Sequence, residues 1–285
     1  MELSFAVRQA IRRDEPICVD DLTLYPIRVA EYEAFCAARP GVEVLQRTFP
    51  VRLLSVPLLG AMYRMDYDAV TAGEAPVGLF FRALLFLALA LRLGEGEEAA
   101  ERVKRFQVVA DPKDPGRLKC VRWLADGTEP MEVTPVQFAR LRPILAAQNG
   151  ITLESDDANP ELVQAERDLA AAKGVALDVN LGDLIATVAA LSGAEETDVE
   201  DWTIRRLDAR KRALDRAMRF LICGIGESQG TKWKGGNPYP SPFYDRTEEE
   251  SGALISLDQF HNGRGMAAVA NPSATGPDLA GGEGL

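Results

Sequence analysis

From position 83 to 91 the chain reads Ala-Leu-Leu-Phe-Leu-Ala-Leu-Ala-Leu, with Arg82 and Arg92 at its ends. The run is far shorter than the ~20 apolar residues that cross a bilayer. It therefore predicts a helix buried on every side, within a helical stretch over 77–93 that Gly94 and Gly96 stop. Before it, 51–65 predicts a helix that Pro57 starts or kinks, and 30–39 a shorter one stopped by Pro40 and Gly41. Residues 73–76 break the chain. In 1–28 the pattern is weak, and only 17–19 and 22–27 have the look of short strands.

Past 104 the pattern changes. Residues 105–110 and 117–124 flank Asp-Pro-Lys-Asp-Pro-Gly at 111–116, a β-hairpin signature. Asp126-Gly127 then turns the chain toward a third short piece at 131–133. Thr134 followed by Pro135 is a helix start. Val136, Phe138, Leu141, Ile144 and Leu145 carry that helix to Asn149-Gly150. A second helix is expected from Asn159-Pro160 to Lys173-Gly174, and a third from Asn180 to Gly193.

A long charged helix is expected next, capped by Thr197. Val199, Trp202, Leu207, Leu214, Met218, Leu221, Ile222 and Ile225 recur at helical spacing. Asp201/Arg205, Asp208/Arg212 and Asp215/Arg219 stand four apart, acid before base. Gly224, Gly226 and Gly230 are the expected end. Beyond them Pro238, Pro240 and Pro242 enforce an extended segment. After 246 the chain is rich in Gly, Ala, Pro and Asn.

The fold class that follows is α+β, predominantly α-helical, with a small antiparallel β-hairpin or sheet in the middle and a disordered C-terminal tail. The expected divisions are a mostly helical region (1–104), a hairpin insertion (105–133), a second helical region (134–229), an extended Pro/aromatic docking segment (230–246) and a mobile tail (247–285).

Charge and chemistry narrow the picture further. A net charge of -11 argues against nucleic acid as a partner. Nothing in the first ten residues has the apolar core of a signal peptide. The four cysteines, Cys18, Cys36, Cys120 and Cys223, form no CxxC pair, which fits reduced thiols in a cytoplasm. The one histidine, His261, falls in the expected tail, a poor place for catalysis. Asp66 with Asp68, and Asp156 with Asp157, could in principle take a metal, but neither pair has the glycine spacing of a calcium loop. Surface or capping roles suit them better. Gly224-Ile-Gly226 and Gly235-Gly236 do not open a helix after a strand, so they suit helix termination rather than phosphate binding. No cofactor and no enzymatic activity are expected.

The candidates for partner binding are Trp233, Tyr239, Phe243 and Tyr244 in the extended segment, together with Arg205, Arg206 and Arg210 on the long helix. Large aromatics on a proline-stiffened segment suit docking. They equally suit packing against the chain's own helices. For the arginines the plain alternative is a solvated face laced with ion pairs.

Thr134-Pro-Val-Gln-Phe138, Ile144-Leu-Ala-Ala-Gln-Asn-Gly150 and Asp201-Trp-Thr-Ile-Arg-Arg206 occur in a succession that resembles uncharacterised proteins from the tail gene modules of Gram-positive phages and prophages. Lys232-Trp-Lys-Gly-Gly-Asn-Pro-Tyr-Pro-Ser-Pro-Phe-Tyr-Asp-Arg246 is similar to a segment in some of them and is the distinctive part. The resemblance covers about residues 20–246. It implies a non-enzymatic tail assembly chaperone of the bacterial host cytoplasm, binding the tape measure protein and the major tail (tube) protein. The middle portion departs from small helical chaperones, so a structural tail or baseplate role in the virion stays open, as does a homo-oligomer. The rival of another class is a carboxylate–metal enzyme.

Overall fold

The computed structural model describes residues 3–125, 129–154, 180–232, 237–239 and 241–243. Two units divide the chain, Met1–Arg212 and Ala213–Leu285. The first opens with α1 (Phe5–Arg12) and an antiparallel hairpin of β1 (Ile17–Val19) and β2 (Leu22–Leu24). Helices α2 (Tyr32–Ala38), α3 (Pro40–Glu43), α4 (Leu58–Thr71), α5 (Leu79–Ala90) and α6 (Ala99–Lys104) follow. Strands β3 (Gln107–Asp111), β4 (Asp114–Ala125) and β5 (Glu129–Val133) form an antiparallel sheet in the order β3-β4-β5. Then come α7 (Pro135–Gln148), α8 (Leu181–Ser192), α9 (Glu196–Glu200) and the start of α10 (Ile204–Ser228), which continues into the second unit. The class is α+β, predominantly helical, with the small antiparallel sheet in the middle.

The core of the first unit is built on α5. From Ala83 to Ala90 no residue is more than 4% exposed, as an all-apolar helix requires. Phe35 of α2 meets Phe86 with ring centroids 5.8 Å apart. Gly41 of α3 lies so close to α5 that an added Cβ would fall 2.6 Å from the Arg82 carbonyl carbon. Leu58, Leu59 and Met62 bury one face of α4, while Phe138, Leu141 and Leu145 bury one face of α7. The sheet contributes Leu118, Val121, Trp123 and Val133. Trp123 meets Phe106 edge to face at 5.6 Å.

Several local predictions hold for identifiable reasons. Thr134 and Gln137 make a reciprocal capping box at the start of α7, and Gly150 (φ 73°) follows its end. Asn180 caps α8 by accepting from the Gly182 amide, and Gly193 (φ 70°) ends it. Pro57 stands at the start of α4, not within a helix. The Gln46 side-chain amide ties the loop before it, donating to the Leu53 and Val56 carbonyls at 3.0 and 2.8 Å.

Other expectations need correction. Helix α2 ends at Ala38, ahead of Pro40-Gly41 as expected, but the pair also opens a further helix. Proline occupies the first turn of α3, where its missing N–H costs nothing. The connection at 111–116 is not all turn. Asp111 pairs with Asp114 and Ala110 with Leu118, so Pro115, Gly116 and Arg117 form a bulge in β4, a place where a strand tolerates proline. The long helix does not begin at Thr197. Residues 196–200 form the separate α9, and the chain breaks before α10 because it is held to the segment after β2. Val29 N donates to Trp202 O at 2.8 Å and Ile204 N to Ile27 O at 3.0 Å. Gly224 and Gly226 lie inside α10, and Gly230 (φ 88°) alone terminates it. The weak pattern of 1–28 hides α1, whose Ser4 side chain caps the Val7 amide. The helix expected after Asn159-Pro160 and the tail over 247–285 lie outside the described residues.

Candidate docking surface

Thr203 begins α10 by accepting from the Arg206 amide through its hydroxyl at 3.1 Å. The cations predicted for docking then take different roles. Arg205 turns inward and donates to Asp14 at 2.8 Å, with both side chains about a quarter exposed. Its expected partner Asp201 instead approaches Arg28 at 3.8 Å. Arg206 places its guanidinium 4.5 Å from the centre of the Trp202 ring, a cation–π contact. Arg210 is exposed. Asp208 and Arg212 make the predicted pair at 3.0 Å. The arginine set is thus not one free basic face, and Arg205 in particular ties elements of its own unit together.

The second unit shows a different surface. Met218, Leu221, Ile222 and Ile225 of α10 stand 46%, 54%, 61% and 56% exposed. Their spacing places them on one stripe of the helix. Cys223, on the opposite side, is buried. Helical periodicity announces this apolar stripe in the sequence, but periodicity cannot tell whether anything covers it.

The extended segment is divided. Tyr239 packs on its own unit. Arg219 donates to its hydroxyl at 2.9 Å and holds its guanidinium carbon 5.5 Å from the ring centre. Asp215 accepts from the other edge of Arg219 at 2.8 Å. These bonds, Asp215 first and Tyr239 second, hold the guanidinium pKa above its usual range. Phe243 is 90% exposed, an unusual position for a phenyl ring. Trp233 and Tyr244 lie outside the described residues.

The carboxylates weighed as metal ligands have structural work. Asp66 accepts from the Gly78 amide at 2.9 Å at the start of α5. Asp68 receives Arg64 and Arg52, each at 2.9 Å. Asp156, Asp157 and His261 lie outside the described residues. Among the described residues no three His, Cys, Asp or Glu side chains gather where they could hold a metal ion. Within the same residues no helix is long and apolar enough to cross a membrane. Compared with models of protein families, with curated proteins and with solved structures, the chain matches none of them.

Proposed function

We propose that this protein acts by docking rather than by catalysis, as a phage tail assembly chaperone that binds the tape measure and major tail (tube) proteins in the bacterial host cytoplasm. The observation that carries the docking reading is the stripe of Met218, Leu221, Ile222 and Ile225, each about half exposed. Fully burying a side chain of this size contributes ~1.5–3 kcal/mol, so four half-exposed ones can supply several kcal/mol on association. An amphipathic helix laid into an apolar groove is a recurrent recognition mode. Phe243 offers a further exposed ring, whereas Tyr239 is engaged with Arg219. The capture surface therefore centres on α10 and only partly on the proline-rich segment. The tail-assembly part of the reading rests on the resemblance of 134–150, 201–206 and 232–246 to phage tail-module proteins.

The test is co-purification and binding kinetics of the full chain with tape measure and major tail proteins of a phage tail module. Leu221→Glu with Ile225→Glu should weaken capture by about a hundredfold, chiefly through faster dissociation. Its melting temperature should change little, because both side chains are already more than half exposed. Wild-type protein that captures neither partner would refute the tail-assembly reading. A double variant that binds as well as wild type would refute the role of the helix.

A further inference from the structure

A cleft of about 740 Å³ opens in the first unit where β4 outruns β5. Strand β5 pairs with β4 only over Val121–Ala125. Before Val121, β4 has β3 along one edge and, among the described residues, no strand along the other. The cause lies in the sequence after β5. Thr134 and Gln137 cap each other directly after Val133, so the chain becomes α7 and cannot continue as a strand. The stretch of β4 without a second strand, Arg117 to Lys119, lines the cleft; Gly116, at the bulge before it, donates its amide to Asp114 at 3.2 Å, and α4 contributes Gly60 and Arg64 to the lining. An unpaired strand edge is a template for another strand.

The charges around this edge are uneven. Arg64 is engaged by Asp68 and by Asp114, each at 2.9 Å, and Arg52 by Asp68. Arg117 and Lys119 stand two residues apart on β4, both exposed, with no acidic partner among the described residues. Leu118 between them is buried and also lines the cleft. The N-terminal end of α7 lies at the same cleft and adds the positive end of a helix dipole. Asp111 and Asp114 are the acids of the lining, against Arg52, Arg64, Arg117 and Lys119, so in a chain of net charge -11 the cleft is locally basic.

We infer that this cleft binds an extended acidic peptide, which adds as a strand to the free edge of β4. Side chains of a strand alternate between its two faces. Carboxylates at every second position would meet Arg117 and Lys119, and the apolar residues between them would lie on the Leu118 and Val56 side. Main-chain hydrogen bonds give such a site affinity, and the cations select its ligand. The site belongs to the first unit and is separate from the stripe on α10.

The probe is a fluorescently labelled acetyl-Thr-Glu-Val-Glu-Val-Glu-Thr-amide, followed by anisotropy with the full chain at low salt. Binding is expected. Arg117→Glu with Lys119→Glu should weaken it by about tenfold or more, and Arg117→Gln with Lys119→Gln by less. Both double variants should melt like wild type. Methylating alternate peptide nitrogens of the probe should also weaken binding by about tenfold, because it removes the donors that pair with β4. Leu221→Glu with Ile225→Glu should leave probe binding unchanged, which separates this site from the proposed capture helix. The inference is overturned if the probe does not bind, if its lysine counterpart binds equally well, or if the methylated probe is undiminished. Displacement by a single-stranded oligothymidine in preference to the acidic peptide would also overturn it, since the cleft would then serve a phosphate backbone.

Discussion

Replacing Gly41 by alanine sets two physical effects against each other. Helix propensity favours alanine over glycine by about 0.5–1 kcal/mol, so position 41 viewed in isolation should gain stability. The packing says the reverse. An added Cβ would sit 2.6 Å from the Arg82 carbonyl carbon and 2.8 Å from the Ala83 Cα, and closer still to the Ala83 nitrogen. These are backbone atoms inside α5 and cannot swing aside. Since ordinary carbon contacts lie near ~3.5 Å, α3 would have to retreat by roughly 1 Å. That retreat also disturbs the Val42 and Val44 carbonyls, which accept from Arg142 at 2.7 Å each. Overpacking costs about 1–3 kcal/mol and weakened hydrogen bonds to a charged donor add more, so the net loss should be about 3 kcal/mol. For a unit of this size that is a fall in Tm of about 6–12 °C. Gly182→Ala is the control, because its Cβ would meet only the Asn180 side-chain oxygen at 3.5 Å, an ordinary contact. Urea and thermal unfolding of the full chain, followed by circular dichroism, compare the two. If Gly41→Ala is as stable as wild type, α3 and α5 are not packed backbone to backbone and the description of the core is wrong.

Leu87→Asp should lose about 3–5 kcal/mol or fail to fold, because it leaves an unpaired charge where the wild-type side chain is fully buried; a soluble variant with wild-type Tm would refute the burial of α5. Cys18 and Cys36 should be alkylated in the native protein, and Cys120 and Cys223 only on unfolding, as read by mass spectrometry. Burial first, and then the Glu132 carboxylate, pushes the Cys120 thiol above the ordinary range. Its contribution to stability is therefore full below the pKa of an unfolded thiol, about 8.5, and declines as pH rises through the higher folded value. Rapid native labelling of Cys120 near neutral pH would contradict its placement in the sheet.

How far the sequence could be read depends on which force decides each feature. The uniform apolar run at 83–91 left one outcome in water, burial, and α5 follows from it. The capping residues Thr134 and Asn180 act within one turn of chain, so α7 and α8 begin where their side chains demand. The start of the long helix could not be read in this way. Thr197 and the acids after it satisfy every local rule for a helix start, yet Val29 and Ile27, distant in sequence, bond to Trp202 and Ile204 and break the chain just ahead of α10. The same limit divides the predicted arginines. Their spacing suggested a shared face, but Asp14, also remote in sequence, draws Arg205 inward, while Arg210 stays in water. The apolar stripe of α10 is the most consequential case. Period 3.6 tells which residues share a face and says nothing of what that face meets. In α4 and α7 the corresponding faces are buried in the first unit; in the second unit Met218, Leu221, Ile222 and Ile225 remain in contact with solvent. Four large apolar side chains left about half exposed on one stripe of a regular helix carry a standing free-energy cost. Association that covers them would recover it, which is why the functional reading is placed on this helix and not on the proline-rich segment that first suggested docking.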